Sequence, residues 1–193
     1  IGGGAVLMSL LSRPTLAGFN NDPRCTGSIL ASIDAGTSLH DFNPDECRFG
    51  CTPGFWSMKE KKGGFSPPPT LRAWEYLNMD PMTEFIALFG CGPGPGFTGG
   101  TRLFDIVGIP NEGASFLKQS ARHSIAAYLN AAILGAGHFG LYPADVINGY
   151  CMAYQDWVNS GETDGSSLSA WHGQMAALNE RNCPLDNNPD NPF

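Results

Sequence analysis

The stretch Ala114–Leu134, ASFLKQSARHSIAAYLNAAIL, decides the fold class. Wound at about 3.6 residues per turn, it brings Leu117, Ala121, Ile125, Leu129, Ala132 and Ile133 to one side. In its second half, IAAYLNAAIL, the one polar residue is Asn130. A helix apolar on most of its circumference belongs in the middle of a domain. The pattern therefore predicts a central helix, ended by Gly135, which readily takes the left-handed cap.

The flanking segments repeat the helical period. Downstream, Tyr142-Pro143 introduces a helix over Ala144–Asn159, with Val146, Ile147, Tyr150, Cys151, Tyr154, Trp157 and Val158 facing inward. A last helix over Leu168–Asn179 buries Leu168, Trp171, Met175 and Leu178. Upstream, Leu71, Trp74 and Leu77 predict a helix over Thr70–Asn78. Asp80-Pro81 reads as the cap and first residue of another helix, through Phe85, Ile86 and Leu88 to Gly90. Between them and the central helix lie a Gly/Pro loop, GCGPGPGFTGGT (90–101), and Thr101–Ile109, read as a short strand or irregular. Gly149 and Gly173 fall inside helices, where Gly costs about 1 kcal/mol relative to Ala; close helix approach is the expected reason.

The resulting expectation is a mainly α, disulfide-stabilised helical domain over 47–185. A Gly-, Ser-, Asn-, Asp- and Pro-rich N-terminal extension spans 1–46, irregular but with room for a strand or a short helix at GSILASI (27–33), and a tail spans 186–193. No internal repeat is present. At 193 residues the chain is long enough to bury a core.

Charge narrows the function. Only 15% of residues are charged, against roughly 25% in ordinary domains, and the net charge is −7. Nothing neutralises a run of phosphates, so a nucleic-acid partner is not expected. Lys59, Lys61 and Lys62, interrupted by Glu60, read as a solvated loop. The chain opens at Ile1 and reads as processed or truncated. Its seven-residue run Ala5–Leu11, AVLMSLL, is well short of the ~20 residues of a membrane span and has no basic residues ahead of it.

Six cysteines, Cys25, Cys47, Cys51, Cys91, Cys151 and Cys183, suggest three disulfides and an oxidising compartment. Only Cys47 and Cys51 are clustered, which does not make a zinc site, and no C-x-x-C redox motif occurs. No cofactor and no metal are expected. Gly94-x-Gly96-x-x-Gly99 has the spacing of a dinucleotide fingerprint but follows a helix rather than a strand, and Pro95 removes an amide. Asp41, Asn43 and Asp45 open like a calcium loop, yet Glu46 and Thr52 stand where an EF-hand needs Gly and Glu; a capped turn is the simpler reading. His40-Asp41 has the residue pair of secreted phospholipases without their flanking cysteines. His123 and Asn130, seven apart, share a helix face; they are read as buried polar groups satisfying nearby carbonyls rather than as a catalytic pair. No catalytic residue is assigned. No Asn-x-Ser/Thr sequon occurs.

Four motifs in order, GCTPGFW (50–56), ARHSIAAYLNAA (121–132), YPADVI (142–147) and LNERNCPL (178–185), carry a resemblance. Together they resemble a largely uncharacterised family of secreted proteins. Its members have a Cys-Thr-Pro-Gly-aromatic-Trp turn, an Arg-His-Ala-rich central helix, a Tyr-Pro step and a late Cys-Pro-Leu. Many members continue the Trp with Lys-Asn, where this chain has Ser57-Met58. The resemblance covers 47–185 and implies an extracellular helical domain, with no reaction attached. Beside it, the Pro53-Gly54 turn is expected to aim Phe55 and Trp56 into the core, and Cys51 to pair with Cys183. Such a bridge closes about 130 residues, for which loop entropy gives on the order of 4–5 kcal/mol.

The leading expectation is an extracellular or cell-surface structural protein, a filament or surface-assembly subunit that is not an enzyme. It would join copies of itself through the apolar segment Ala5, Val6, Leu7, Met8, Leu10 and Leu11. One alternative is a secreted carbohydrate- or calcium-binding module using Trp56, Trp74 or the Asp/Asn segments, with glycans as partners. Another is a disulfide-rich secreted enzyme using His123 or His40.

Overall fold

A computed structural model describes residues 49–57, 69–110, 115–181, 183 and 185. Seven helices occur among them: α1 (Pro53–Trp56), α2 (Pro69–Tyr76), α3 (Phe85–Phe89), α4 (Leu103–Val107), α5 (Phe116–Phe139), α6 (Pro143–Asn159) and α7 (Ser166–Asn179). The domain is mainly helical and disulfide-stabilised, as expected. No strand occurs among the described residues; a single antiparallel bridge joins Glu84 to Arg102. The N-terminal extension lies outside them, and with it the segment at 27–33 read as a strand or a short helix.

α5 is the central helix. Ser115 caps its start, its hydroxyl accepting from the Lys118 N–H at 3.4 Å. From Gln119 to Ala127 every residue is buried, and Leu129, Asn130, Ile133 and Leu134 continue the interior face. α7 and α6 pack against it and against each other, while α4 and α1 cover it elsewhere. Gly135 breaks the helix (φ 74°, ψ 164°), but does not end it: one further turn follows and stops at Gly140, which is left-handed at φ 100°. The sequence expectation stopped too early because the residues after Gly135 resume helical geometry.

Two further expectations need correction. Asp80-Pro81 does not start a helix. The Asp80 carboxylate accepts from the Met82 N–H at 2.8 Å, and Asp80 O accepts from the Thr83 N–H, closing a turn. The helix begins only at Phe85, with Glu84 as its cap residue. Within Thr101–Ile109, expected as a short strand or irregular, Leu103–Val107 forms α4, and Arg102 alone pairs, in the isolated bridge to Glu84. The start of α4 is fixed by the Asp80–Phe85 segment: Leu103 N–H donates to Thr83 O at 2.9 Å, Phe104 N–H to Pro81 O at 3.1 Å, and Phe85 N–H returns to Thr101 O at 3.0 Å.

The two helix glycines differ. A Cβ on Gly149 would lie 2.3 Å from the Trp171 ring, so α6 and α7 approach closely there, as expected. A Cβ on Gly173 would meet nothing within 4 Å, so close approach does not explain that glycine.

Aromatic packing closes the core around α6. Phe85 and Phe89 stack at 4.2 Å, and Tyr150 meets both rings edge-on at 5.3 and 5.5 Å. Tyr150 also donates to Gly92 O at 3.2 Å, tying the Gly/Pro loop to α6. No single helix among the described residues is long and apolar enough to cross a membrane.

Candidate functional site

The turn at 50–57 is a structural corner. Thr52 caps α1, Pro53 occupies its first turn, and the Phe55 and Trp56 rings meet edge-on at 5.1 Å. Trp56 packs edge-on against Trp74 at 6.2 Å, and the Trp74 indole N–H donates to Trp56 O at 3.3 Å. Both indoles are fully buried, so neither presents a face for sugar stacking; the expectation of a glycan site at Trp56 or Trp74 is overturned. Gly50 meets the end of α7 so closely that a Cβ would overlap Leu178 O. Cys51, alongside, is bonded to Cys183, the pairing expected.

The corner is held by a chain of buried side chains running from α5 to α7. Asn130 Nδ2 donates to Cys51 O at 2.8 Å, and its Oδ1 accepts from Cys51 N–H at 3.0 Å and from the Trp56 indole at 3.2 Å. The other Nδ2 hydrogen reaches Asn179 Oδ1 at 2.9 Å. Asn179 Nδ2 in turn donates to His123 O at 2.8 Å and lies 3.5 Å from His123 Nδ1. His123 and Asn130 are thus both buried on one face; Asn130 satisfies a neighbouring carbonyl, that of Cys51, as expected, whereas the His123 ring lies against the Asn179 amide rather than a carbonyl. Asn179 joins them; no spacing in the sequence marks it, because its partners are 49 and 56 residues away.

At the open end of the chain, His123 meets His172 edge-on at 4.8 Å, and His172 meets Phe116 at 5.7 Å. Burial, with smaller contributions from His172 and Arg122, pushes the His123 imidazole down to about 3. At neutral pH His123 is uncharged and a weak proton acceptor, far from the range suited to general-base work. Burial also lowers His172, against an opposing pull from Glu180. Arg122 donates Nε to Val107 O at 3.2 Å and Nη1 to Gln119 Oε1 at 3.0 Å, fastening α4 to α5.

A second disulfide, Cys91–Cys151, fastens the Gly/Pro loop to α6. In that loop Gly94 and Gly96 both have φ near 82°, and the cradle beside Gly96 is filled by Lys118, whose ammonium lies 6.0 Å from the Phe97 ring centroid. Among the described residues no group of three or more His, Cys, Asp or Glu side chains is arranged to hold a metal ion. Cys25, Cys47, the assembly residues Ala5, Val6, Leu7, Met8, Leu10 and Leu11, the Asp41-Asn43-Asp45 turn and His40 lie outside the described residues. No protein-family model matches the chain, no curated protein matches it, and no solved structure matches it.

Proposed function

We propose that this chain is an extracellular structural protein, a disulfide-stapled helical module that joins other copies of itself into a filament or surface layer through Ala5–Leu11. One observation carries the reading: side chains with chemical potential are spent on fastening. Two disulfides and the Asn130–Asn179–His123 chain all tie loops or helix ends to α5, α6 and α7. Such stapling suits a module that must keep its shape outside the cell, and two intramolecular disulfides are compatible with that location. The test compares the full chain with one lacking Ile1–Leu11, by sedimentation and electron microscopy. Polymers from the full chain alone support the reading. Equal polymerisation by both removes the segment from its role, and no polymer from either at any concentration ends the filament reading.

The exposed rings of Phe116 (67% accessible) and Tyr142 (66%) favour a second reading, a surface-binding module for glycans. A panel of soluble oligosaccharides, titrated against the wild type and against Phe116→Ala and Tyr142→Ala, decides it. No binding by the wild type ends it.

A further inference from the structure

His123 and His172 close the seam between α5 and α7 with their rings nearly perpendicular, at 84°. His123 is only 5% accessible, whereas His172 is half-buried and in contact with Phe116. Facing the pair are Arg122, from the same turn of α5, and Glu180, immediately beyond α7; α4 contributes the Val107 carbonyl that holds Arg122. The seam also contains the Trp171 indole, which donates to Ser124 Oγ at 2.8 Å.

Neutral imidazoles pack well edge to face. Imidazolium at either position sets its positive charge against that of Arg122, in a seam where burial already disfavours charge. The only backbone carbonyl of the pair that Asn179 holds, His123 O, sits in this seam. Asn179 also passes the restraint to Asn130, and Asn130 to Cys51.

We propose that the His123–His172 pair is an acid-sensitive latch: neutral, it seats α7 on α5; protonated, it frees Asn179 and loosens the Asn130 grip on the Cys51 corner. Folding favours the neutral imidazoles, so the latch is fully closed above the ordinary histidine range and weakens as pH falls below it. His172 takes the first proton, because it is less buried and faces Glu180. Its charge then opposes protonation of His123, and the second proton enters only as the seam opens. The Cys51–Cys183 bond keeps the loosened corner attached, which makes the change local and reversible. The latch needs no assembly, so it stands or falls separately from the filament reading.

The experiment follows the full chain, disulfides intact, from about pH 7.5 to about pH 4, across the histidine range. Imidazole NMR reports the protonation of each ring, and amide-exchange protection factors report Cys51 and Asn130. Expected are a His172 titration below the ordinary histidine value and a reversible fall in protection at Cys51 of about tenfold or more, equivalent to one pKa unit of coupling. His172→Gln, which keeps a neutral polar group, should shift that fall to lower pH. The latch is overturned if both imidazoles titrate like free histidine, if protection at Cys51 ignores pH, or if His172→Gln leaves the transition where it was. The wild-type titration alone decides the matter should the variant fail to fold.

Discussion

Asn130 holds the backbone of Cys51 from both sides, donating to its carbonyl at 2.8 Å and accepting from its N–H at 3.0 Å across 79 residues of sequence. The same side chain accepts the Trp56 indole and donates to Asn179. Asn130→Ala leaves several buried polar groups without a partner, each costing about 1–3 kcal/mol. The expected loss is about 3–5 kcal/mol, allowing for relaxation of the corner and entry of water. Asn130→Asp keeps the acceptors but turns the donor side into a carboxylate oxygen facing Cys51 O and Asn179 Oδ1; it should be at least as damaging at neutral pH. Urea unfolding with the disulfides intact measures both. A loss under about 1 kcal/mol for either would show that the network is not what fixes the corner.

The glycines of α6 and α7 give opposite expectations from one substitution. Gly149→Ala drives a methyl into the Trp171 ring and should destabilise by about 1–3 kcal/mol, with the Trp171–Ser124 hydrogen bond disturbed. Gly173→Ala places its methyl in open space on an exposed helical turn and should stabilise by about 0.5–1 kcal/mol. Thermal unfolding of the two variants side by side checks the sign of each.

What the sequence made legible was what repeats locally. The run from Leu117 to Ile133 carries its own period, and that period placed α5 at the centre. The same logic located α6 and α7 to within two residues of their observed starts. The misreadings lie where distant backbone decides. Pro81 is a good first helical residue in isolation, yet its carbonyl is taken by Phe104 N–H and the Thr83 carbonyl by Leu103 N–H. Gly149 and Gly173 look alike along the chain, and only the presence or absence of Trp171 opposite separates them. His172, Arg122 and Asn179 carried no local signal, because each acquires its role only when α5 and α7 are laid together.

Acid should weaken the fold through His123. Its folded pKa is depressed to about 3, so the unfolded chain binds the proton more readily below the ordinary value of 6.5. The stabilisation is complete above that value and is lost as pH falls toward about 3. By pH 4 the loss from this one group reaches about 3 kcal/mol. Unfolding measured at neutral pH and near pH 4, for wild type and His123→Gln, isolates it from the carboxylates that titrate in the same range. The gap between the two proteins should narrow in acid, and a gap that does not change with pH would remove His123 as the cause.

The two disulfides should differ in their response to thiols. Both cysteines of Cys91–Cys151 are partly accessible, whereas in the other bridge only Cys183 is, Cys51 being fully buried with its backbone held by Asn130. A small thiol reductant reaches the Cys91–Cys151 sulfurs first, because exchange requires in-line approach to a sulfur. Mild reduction followed by alkylation should therefore label Cys91 and Cys151 before Cys51 and Cys183. The bridges span 60 and 132 residues, for which loop entropy gives about 4 and about 5 kcal/mol. The first reduction should release the Gly/Pro loop from α6 and lower the unfolding midpoint while the Trp56 corner stays packed. Four of the six cysteines are accounted for by these two bridges, leaving Cys25 and Cys47, which lie outside the described residues. They are expected to pair with each other, so the unreduced protein should show no alkylatable thiol by mass spectrometry. Labelling of Cys51 ahead of Cys91, or two free thiols before any reduction, contradicts this ordering and this pairing respectively.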